Sequence, residues 1–194
     1  MNTAVGPRAL CNLRSFEFDL WYPLFDESET ECVVAIRHTG ACSESPTGHS
    51  TVLRIHSSCV LGESLLVGRC DCRRQLDASI DLIGSIGCGV LIYILRHDGR
   101  GHGIGAQLES FPLMDSGLTA SEAYDRIRGS ADVRSYRWAT AIIRKLGLKE
   151  VFLLTQNQEK VEAVLMAGVE IIGTSPCDIE HIQSIRHQLG SRPA

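Results

Sequence analysis

Residues Val90 to Leu95 read Val-Leu-Ile-Tyr-Ile-Leu, an uninterrupted apolar run between the breaker Gly87 to Gly89 and a glycine-rich, charged segment. A strand with one wet face alternates apolar and polar residues, so a continuous run predicts a strand covered on both faces, as in parallel sheets. The run leads straight into His97-Asp98-Gly99-Arg100-Gly101-His102-Gly103-Ile104-Gly105. In open α/β sheets ligands bind beyond the carboxyl ends of the strands, so the same stretch predicts where function sits.

The flanking sequence agrees with an α/β reading. Glu31 to Arg37 and Thr51 to His56 read as strands, with a Gly/Ser/Pro-rich loop from Thr39 to His49 between them. Arg73 to Ile86 places Leu76, Ile80 and Ile83 at helical spacing. Arg134 to Leu146 does the same through Trp138, Ile142 and Ile143, and Gly147 ends it. Val151–Leu154, Asn157–Met166 and Val169–Ile172 then form a βαβ unit, which requires parallel strands and a right-handed crossover. The expectation is a three-layer α/β fold, a mixed sheet flanked by helices. At 194 residues and 44% hydrophobic, the chain can bury a core as a single domain. Within residues 1–194 the core spans about 50–173, preceded by a β-rich part over 1–50 and followed by a helical tail over 175–194.

A formal net charge of −4 gives no general pull on nucleic acid or acidic membranes, so phosphate binding must come from a local arginine cluster. That favours a small phosphorylated ligand and argues against nucleic acid as a partner. No stretch approaches the ~18 apolar residues of a membrane span, and the opening residues lack a signal-type pattern. The expected compartment is therefore the cytoplasm, where thiols stay reduced. Of the eight cysteines, Cys11, Cys32, Cys42, Cys88 and Cys177 are expected to be packing residues or free thiols.

The other three stand apart. Cys59 closes Arg54-Ile-His-Ser-Ser-Cys59, and ten residues later comes Cys70-Asp-Cys72. The flanks (His56, Ser57, Ser58, and Arg69, Asp71, Arg73, Arg74) are poor core material. If Arg69 to Cys72 is extended, residues two apart point the same way and the two thiols can meet Cys59 returning from a strand end. Structural zinc closes its shell with four protein ligands, whereas catalytic zinc keeps three and an open position. Three thiols without a fourth partner read as an open site.

These motifs, with Gly62-Glu63, Gln75-Leu76, Asp98-Gly-Arg100, Asp132-Val-Arg134, Leu146-Gly147 and Leu153-Leu-Thr155 followed by Lys160, resemble GTP cyclohydrolase II over roughly residues 50 to 173. The resemblance implies an enzyme that opens the imidazole ring of GTP at C8, releases formate and pyrophosphate, and yields the diaminopyrimidinone ribosyl phosphate that enters flavin synthesis. It implies Zn2+ on Cys59, Cys70 and Cys72, Mg2+ with the substrate phosphates, and a homodimer. A zinc-bound water titrates near pH ~7 and can attack an electron-poor purine carbon. Arg134 resembles an arginine proposed to attack the α-phosphate, with Asp132 as its base. A protonated guanidinium is a poor nucleophile, and simple charge stabilisation by Arg134 suits the chemistry better. Arg54 and Lys160 resemble phosphate contacts. His56, Ser57, Ser58, Gln75, Asp98, Gly99, Arg100, Ala120 and Thr155 fall at nucleotide-binding positions by the same resemblance. His56 and His102 are the histidines that invite a fourth-ligand role, which would close the site and remove its chemistry.

Four positions depart from the family pattern. Ser58 replaces an acid, Asp98 shortens a glutamate, Phe111 stands for a catalytic tyrosine and Ala120 for a ligand-binding threonine. Phe111 cannot hold a water or substrate oxygen by a hydroxyl, which predicts slow removal of the formyl group. A neutral Ser58 and a shorter Asp98 bear on base choice. Three readings follow: a cyclohydrolase acting on GTP, a specialised homologue that stops at the formylamino product or takes another nucleotide, and a non-catalytic nucleotide-binding or sensor protein. A nucleic-acid-binding zinc module would want a fourth ligand and a basic face, and the chain offers neither clearly.

Overall fold

In the computed structural model, residues 6–25, 28–29, 31–38, 51–177, 181 and 184–185 are described. The Thr39–His49 loop expectation lies outside these residues, as does most of the 175–194 tail. The chain divides into two compact units. One, the sheet unit, comprises the described parts of Met1–His56, Arg74–Tyr93 and Tyr136–Ala194; the other, the cysteine unit, comprises Ser57–Arg73 and Ile94–Ser135.

The chain opens with β1 (Arg8–Leu13) and β2 (Phe16–Trp21), an antiparallel hairpin, then a small pair of β3 (Leu24–Phe25) and β4 (Ser28–Glu29), and β5 (Cys32–His38). There follow β6 (Thr51–Ser57), α1 (Val60–Glu63), α2 (Cys72–Ile86) and β7 (Cys88–Ile94). Next come a 3-10 turn (Asp98–Gly101), α3 (Gly103–Asp115), α4 (Ala120–Arg128), α5 (Arg137–Leu146), β8 (Glu150–Leu154), α6 (Gln158–Met166) and β9 (Glu170–Ser175). Among the described residues seven strands form one sheet in the order β1-β2-β5-β7-β6-β8-β9. The β2–β5 pairing is antiparallel while β6–β8 and β8–β9 are parallel, so the sheet is mixed and the fold is α/β, as expected.

Burial explains the apolar run. Val90, Leu91, Ile92 and Ile94 are all buried, so β7 meets water on neither face. On one face Val52, Leu91, Phe152 and Leu154 pack with Ala78, Ile80, Leu82 and Ile83 of α2. The alternate residues Leu53, Ile55 and Leu153 are equally inaccessible, so the opposite face is covered too. α5 buries Ala139, Ile142 and Ile143, and Gly147 ends it in the left-handed conformation (φ 67°). The βαβ unit is present as β8–α6–β9, with Asn157 capping α6 through its side-chain oxygen.

Two expectations change. The glycine-rich, charged His97–Gly105 segment, which reads as a loop, is not a continuous one, because it holds the 3-10 turn Asp98–Gly101 and, after His102, the start of α3 at Gly103. Cys88, expected as a packing residue or free thiol, is disulfide-bonded, while Cys32 and Cys177 are buried thiols. No helix among the described residues is long and apolar enough to cross a membrane.

Candidate active site

β6 ends at Ser57, and the chain turns through Cys59, whose extended backbone (φ −148°, ψ 86°) starts α1. Cys70 comes from the loop after α1, and Cys72 opens α2, so the last two thiols come from a loop and a helix start and not from one extended strand. The three Sγ atoms lie within 4.8 Å of one another, Cys59 and Cys70 at 3.7 Å. A tetrahedral ion holding sulfur at ~2.3 Å sets neighbouring sulfurs ~3.8 Å apart, so the thiols fit such an ion. Among the described residues no fourth His, Cys, Asp or Glu joins the group. Gly62 makes the room, since a Cβ there would lie 2.4 Å from Cys70 Sγ and 3.3 Å from Cys59 Sγ. Burial pushes the Cys59 and Cys72 thiols up, and at Cys72 the neighbouring Cys70 and Cys59 push further in the same direction. Cys59 and Cys72, buried and crowded this way, hold their protons until a cation takes their place.

A polar lattice fixes the Cys59 segment. Asp98 is buried, and its Oδ1 accepts from the Val60 N–H at 2.6 Å while its Oδ2 accepts from the Ser58 hydroxyl at 3.2 Å. The His97 N–H donates to Ser58 Oγ at 3.2 Å, and Ser57 Oγ lies 3.0 Å from His97 Nδ1. The two departures Ser58 and Asp98 therefore meet. An acid at 58 would set two carboxylates face to face, whereas a serine gives Asp98 a donor. Gln107 on α3 is buried, its Nε2 donating to Cys59 Sγ at 3.4 Å.

The Asp98–Gly101 turn carries two left-handed residues, Gly99 (φ 57°) and Arg100 (φ 56°), the second uncommon for a residue with a side chain. Gly101 (φ 89°) lies against the next loop, where an added Cβ would come 3.1 Å from the Arg134 N. The Val133 N–H donates to Arg100 O at 3.1 Å, and His102 Nε2 sits 2.9 Å from Ser130 O with its ring stacked on Tyr124. His102, unexplained by sequence and outside the thiol group, thus ties the turn to the loop bearing Asp132 and Arg134. There Arg134 grips Asp132 from Nε (2.9 Å to Oδ1) and Nη2 (2.5 Å to Oδ2), with its own N–H at 3.1 Å. Burial works to raise the Asp132 carboxyl, but the hydrogen bonds and charge of Arg134, aided by Arg100, hold it below the usual carboxylate range. Phe111 is half-buried on α3 beneath the Arg69 guanidinium, 4.7 Å from the ring centre, and Arg69 pairs with Asp115. Ala120 is the first residue of α4, between Thr119 and Glu122, the two residues of its capping box.

The remaining predicted residues belong to the sheet unit. Arg54, His56, Thr155 and Lys160 are buried. Arg54 donates to Leu154 O at 2.8 Å and to Gln75 Oε1 at 3.0 Å, and lies 3.3 Å from His56 Nδ1; His56 stacks on Tyr93. Lys160 Nζ donates to Ile55 O at 2.9 Å, and Thr155 Oγ1 accepts from the Asn157 N–H at 3.0 Å. The charges of Arg54 and Lys160 are thus engaged by main-chain carbonyls at the ends of β6 and β8.

The family model for GTP cyclohydrolase II matches residues 17–176. This chain belongs to the GTP cyclohydrolase II family. It is similar to a GTP cyclohydrolase-2 of Meyerozyma guilliermondii, 43% identical over 122 residues (63% of this chain, 36% of the relative). A GTP cyclohydrolase-2 of Neisseria meningitidis is 33% identical over 164 residues, 84% of this chain and 81% of the relative. The riboflavin biosynthesis protein RibBA of Aquifex aeolicus is 36% identical over 129 residues, 66% of this chain and 32% of the relative. The chain thus spans about a third of the Aquifex and Meyerozyma relatives and about four fifths of the Neisseria one.

Proposed function

We propose that this chain opens the imidazole ring of GTP at C8, releasing formate and pyrophosphate and leaving a 2,5-diamino-6-ribosylamino-pyrimidinone 5′-phosphate for riboflavin synthesis. The observation that carries this reading is the thiol tripod, three Sγ atoms at ion-holding spacing with no fourth donor grouped with them among the described residues. Sulfur ligands and an open position suit Zn2+, and Mg2+ is assigned to the substrate phosphates. When bound, zinc supplies Lewis acidity and makes water a competent nucleophile near neutral pH.

The chain's own residues set the geometry. Asp98 serves the Cys59 segment with both oxygens, which leaves Arg100, half-buried on the same turn, as the group we assign to the nucleotide. Arg134 presents a fixed guanidinium to the α-phosphoryl group. Held to an ionised Asp132, it keeps its proton, so its role is to stabilise charge on the phosphoryl oxygens and not to attack. Arg54, His56, Gln75, Thr155 and Lys160 are assigned to shaping the strand ends at the sheet unit's edge. A homodimer with no nucleic-acid partner completes the proposal, in the cytoplasm, where the Cys88 disulfide is the unusual feature.

The test is GTP turnover with zinc and magnesium present, following formate, pyrophosphate and product mass together. Equal formate and pyrophosphate with the diaminopyrimidinone mass is the expected result. Activity undiminished in metal-free protein would refute it. A specialised homologue is favoured by two observations, the Ser58–Asp98 pairing and the Arg69-covered Phe111 without a hydroxyl. Under that reading pyrophosphate appears without formate and the product keeps its formyl group; stoichiometric formate excludes it.

A further inference from the structure

Gln107 is not among the residues quoted above for the resemblance, yet it touches the thiol group. Its Nε2 lies 3.4 Å from Cys59 Sγ, and its Oε1 is buried with no hydrogen-bond partner among the described residues. The side chain is held at its root by the 3-10 turn, since a Cβ on Gly99 would sit 3.2 Å from the Gln107 N and 3.4 Å from its Cβ. Chemistry fixes which way the amide faces. A ligating thiolate has no hydrogen to give, so only the N–H end of the amide can meet it, and the carbonyl oxygen must point elsewhere. Buried acceptors are nearly always satisfied, so an orphan on a side chain that touches the thiol group marks a partner the described residues do not supply.

We infer that Gln107 is a positioning residue of the metal centre: Nε2–H holds Cys59 Sγ in its ligating orientation, and Oε1 accepts a hydrogen from the molecule in the ion's fourth position. The inference rests on the metal reading above. It assigns to one neutral amide both an anchor on a ligand and a rest for what that ligand's ion carries, without adding charge to a centre already rich in sulfur.

The test compares wild-type protein with Gln107→Met, which keeps length and bulk but has no N–H, and with Gln107→Leu as a second variant should the first fold poorly; circular dichroism checks both folds. Zinc affinity, read by competition with a chromophoric chelator, falls about 10- to 100-fold in the variants. In Co2+-loaded protein the sulfur-to-cobalt absorption moves to longer wavelength, because sulfur loses a hydrogen bond. Azide, which displaces the occupant of the fourth position, binds several-fold more tightly to the variants, since displacement no longer breaks a bond to Oε1. A folded variant with unshifted absorption and unchanged zinc affinity overturns the anchor, and unchanged azide binding overturns the role of Oε1. Wild-type protein that takes up neither ion refutes the metal reading itself, and this inference with it.

Discussion

The two units are held together by different physics. The sheet unit buries Leu53, Ile55, Ile83, Ile92 (its strand β7), Ile142, Ile143, Leu153 and Leu154 almost completely. The cysteine unit buries few large apolar side chains and leaves Val60, Leu65, Leu66, Ile104, Leu108 and Val133 exposed. It relies on the Ser57–His97, Ser58–Asp98, His102–Ser130 and Asp132–Arg134 contacts and on the thiol group. Apolar burial is forgiving of small shifts, whereas a polar lattice works only at fixed distances. The contrast teaches that the scaffold and the chemistry can be damaged separately.

The largest separation is expected from Cys70→Ser. Bound metal should fall from about one ion per chain to nearly none and turnover by at least ~1,000-fold, equivalent to ~4 kcal/mol, while the sheet's circular dichroism is unchanged. A variant that keeps its ion breaks the comparison at its root. Leu153→Ala is the converse, with urea unfolding expected to show a loss of about 2–5 kcal/mol while metal per folded chain stays constant. A folded variant that binds less metal per chain than wild type before urea is added would argue against independent damage. Ser58→Ala removes one partner from Asp98 and one from the His97 N–H, at a cost of about 1–3 kcal/mol. Hydrogen exchange should quicken in residues 57–60 and 97–101 and stay slow in β8; uniform quickening would contradict the lattice as a local device.

The smallest effect is a pH dependence. Asp132 is held below its unfolded value of about 3.9, so its pairing with Arg134 stabilises fully above that pH and fades as pH falls through the folded value. Melting temperatures of wild type and Asp132→Asn should differ from pH 5 to 7 and begin to draw together as the pH falls below about 4. A gap that persists unchanged to pH 3 would mean the carboxylate charge contributes nothing.

Much of the sheet unit was legible in sequence because apolar periodicity reports burial directly. β7, α2, α5 and the βαβ unit were all expected within a few residues of their observed ends. α3 was not, because Gly103, Gly105 and Pro112 mask a helix as a loop and its apolar residues form no clean stripe. α4 carried a readable signal that went unused, the Thr119-x-x-Glu122 capping box before Gly129. The thiol tripod was legible because its spacing is local. The Ser58–Asp98 bond joins residues 40 apart and follows from no local pattern. Gln107 was invisible for a different reason, since a polar residue on a helix announces nothing until its neighbour is known.

One consequence lies in the smallest residue of the site. Because any side chain at Gly62 would strike the Cys70 sulfur, a lone methyl group there is enough to prise the three donors apart without touching one of them. A change of that kind would leave every recognisable signature in the chain intact and still yield a protein that looks like an enzyme on paper and is silent in the tube.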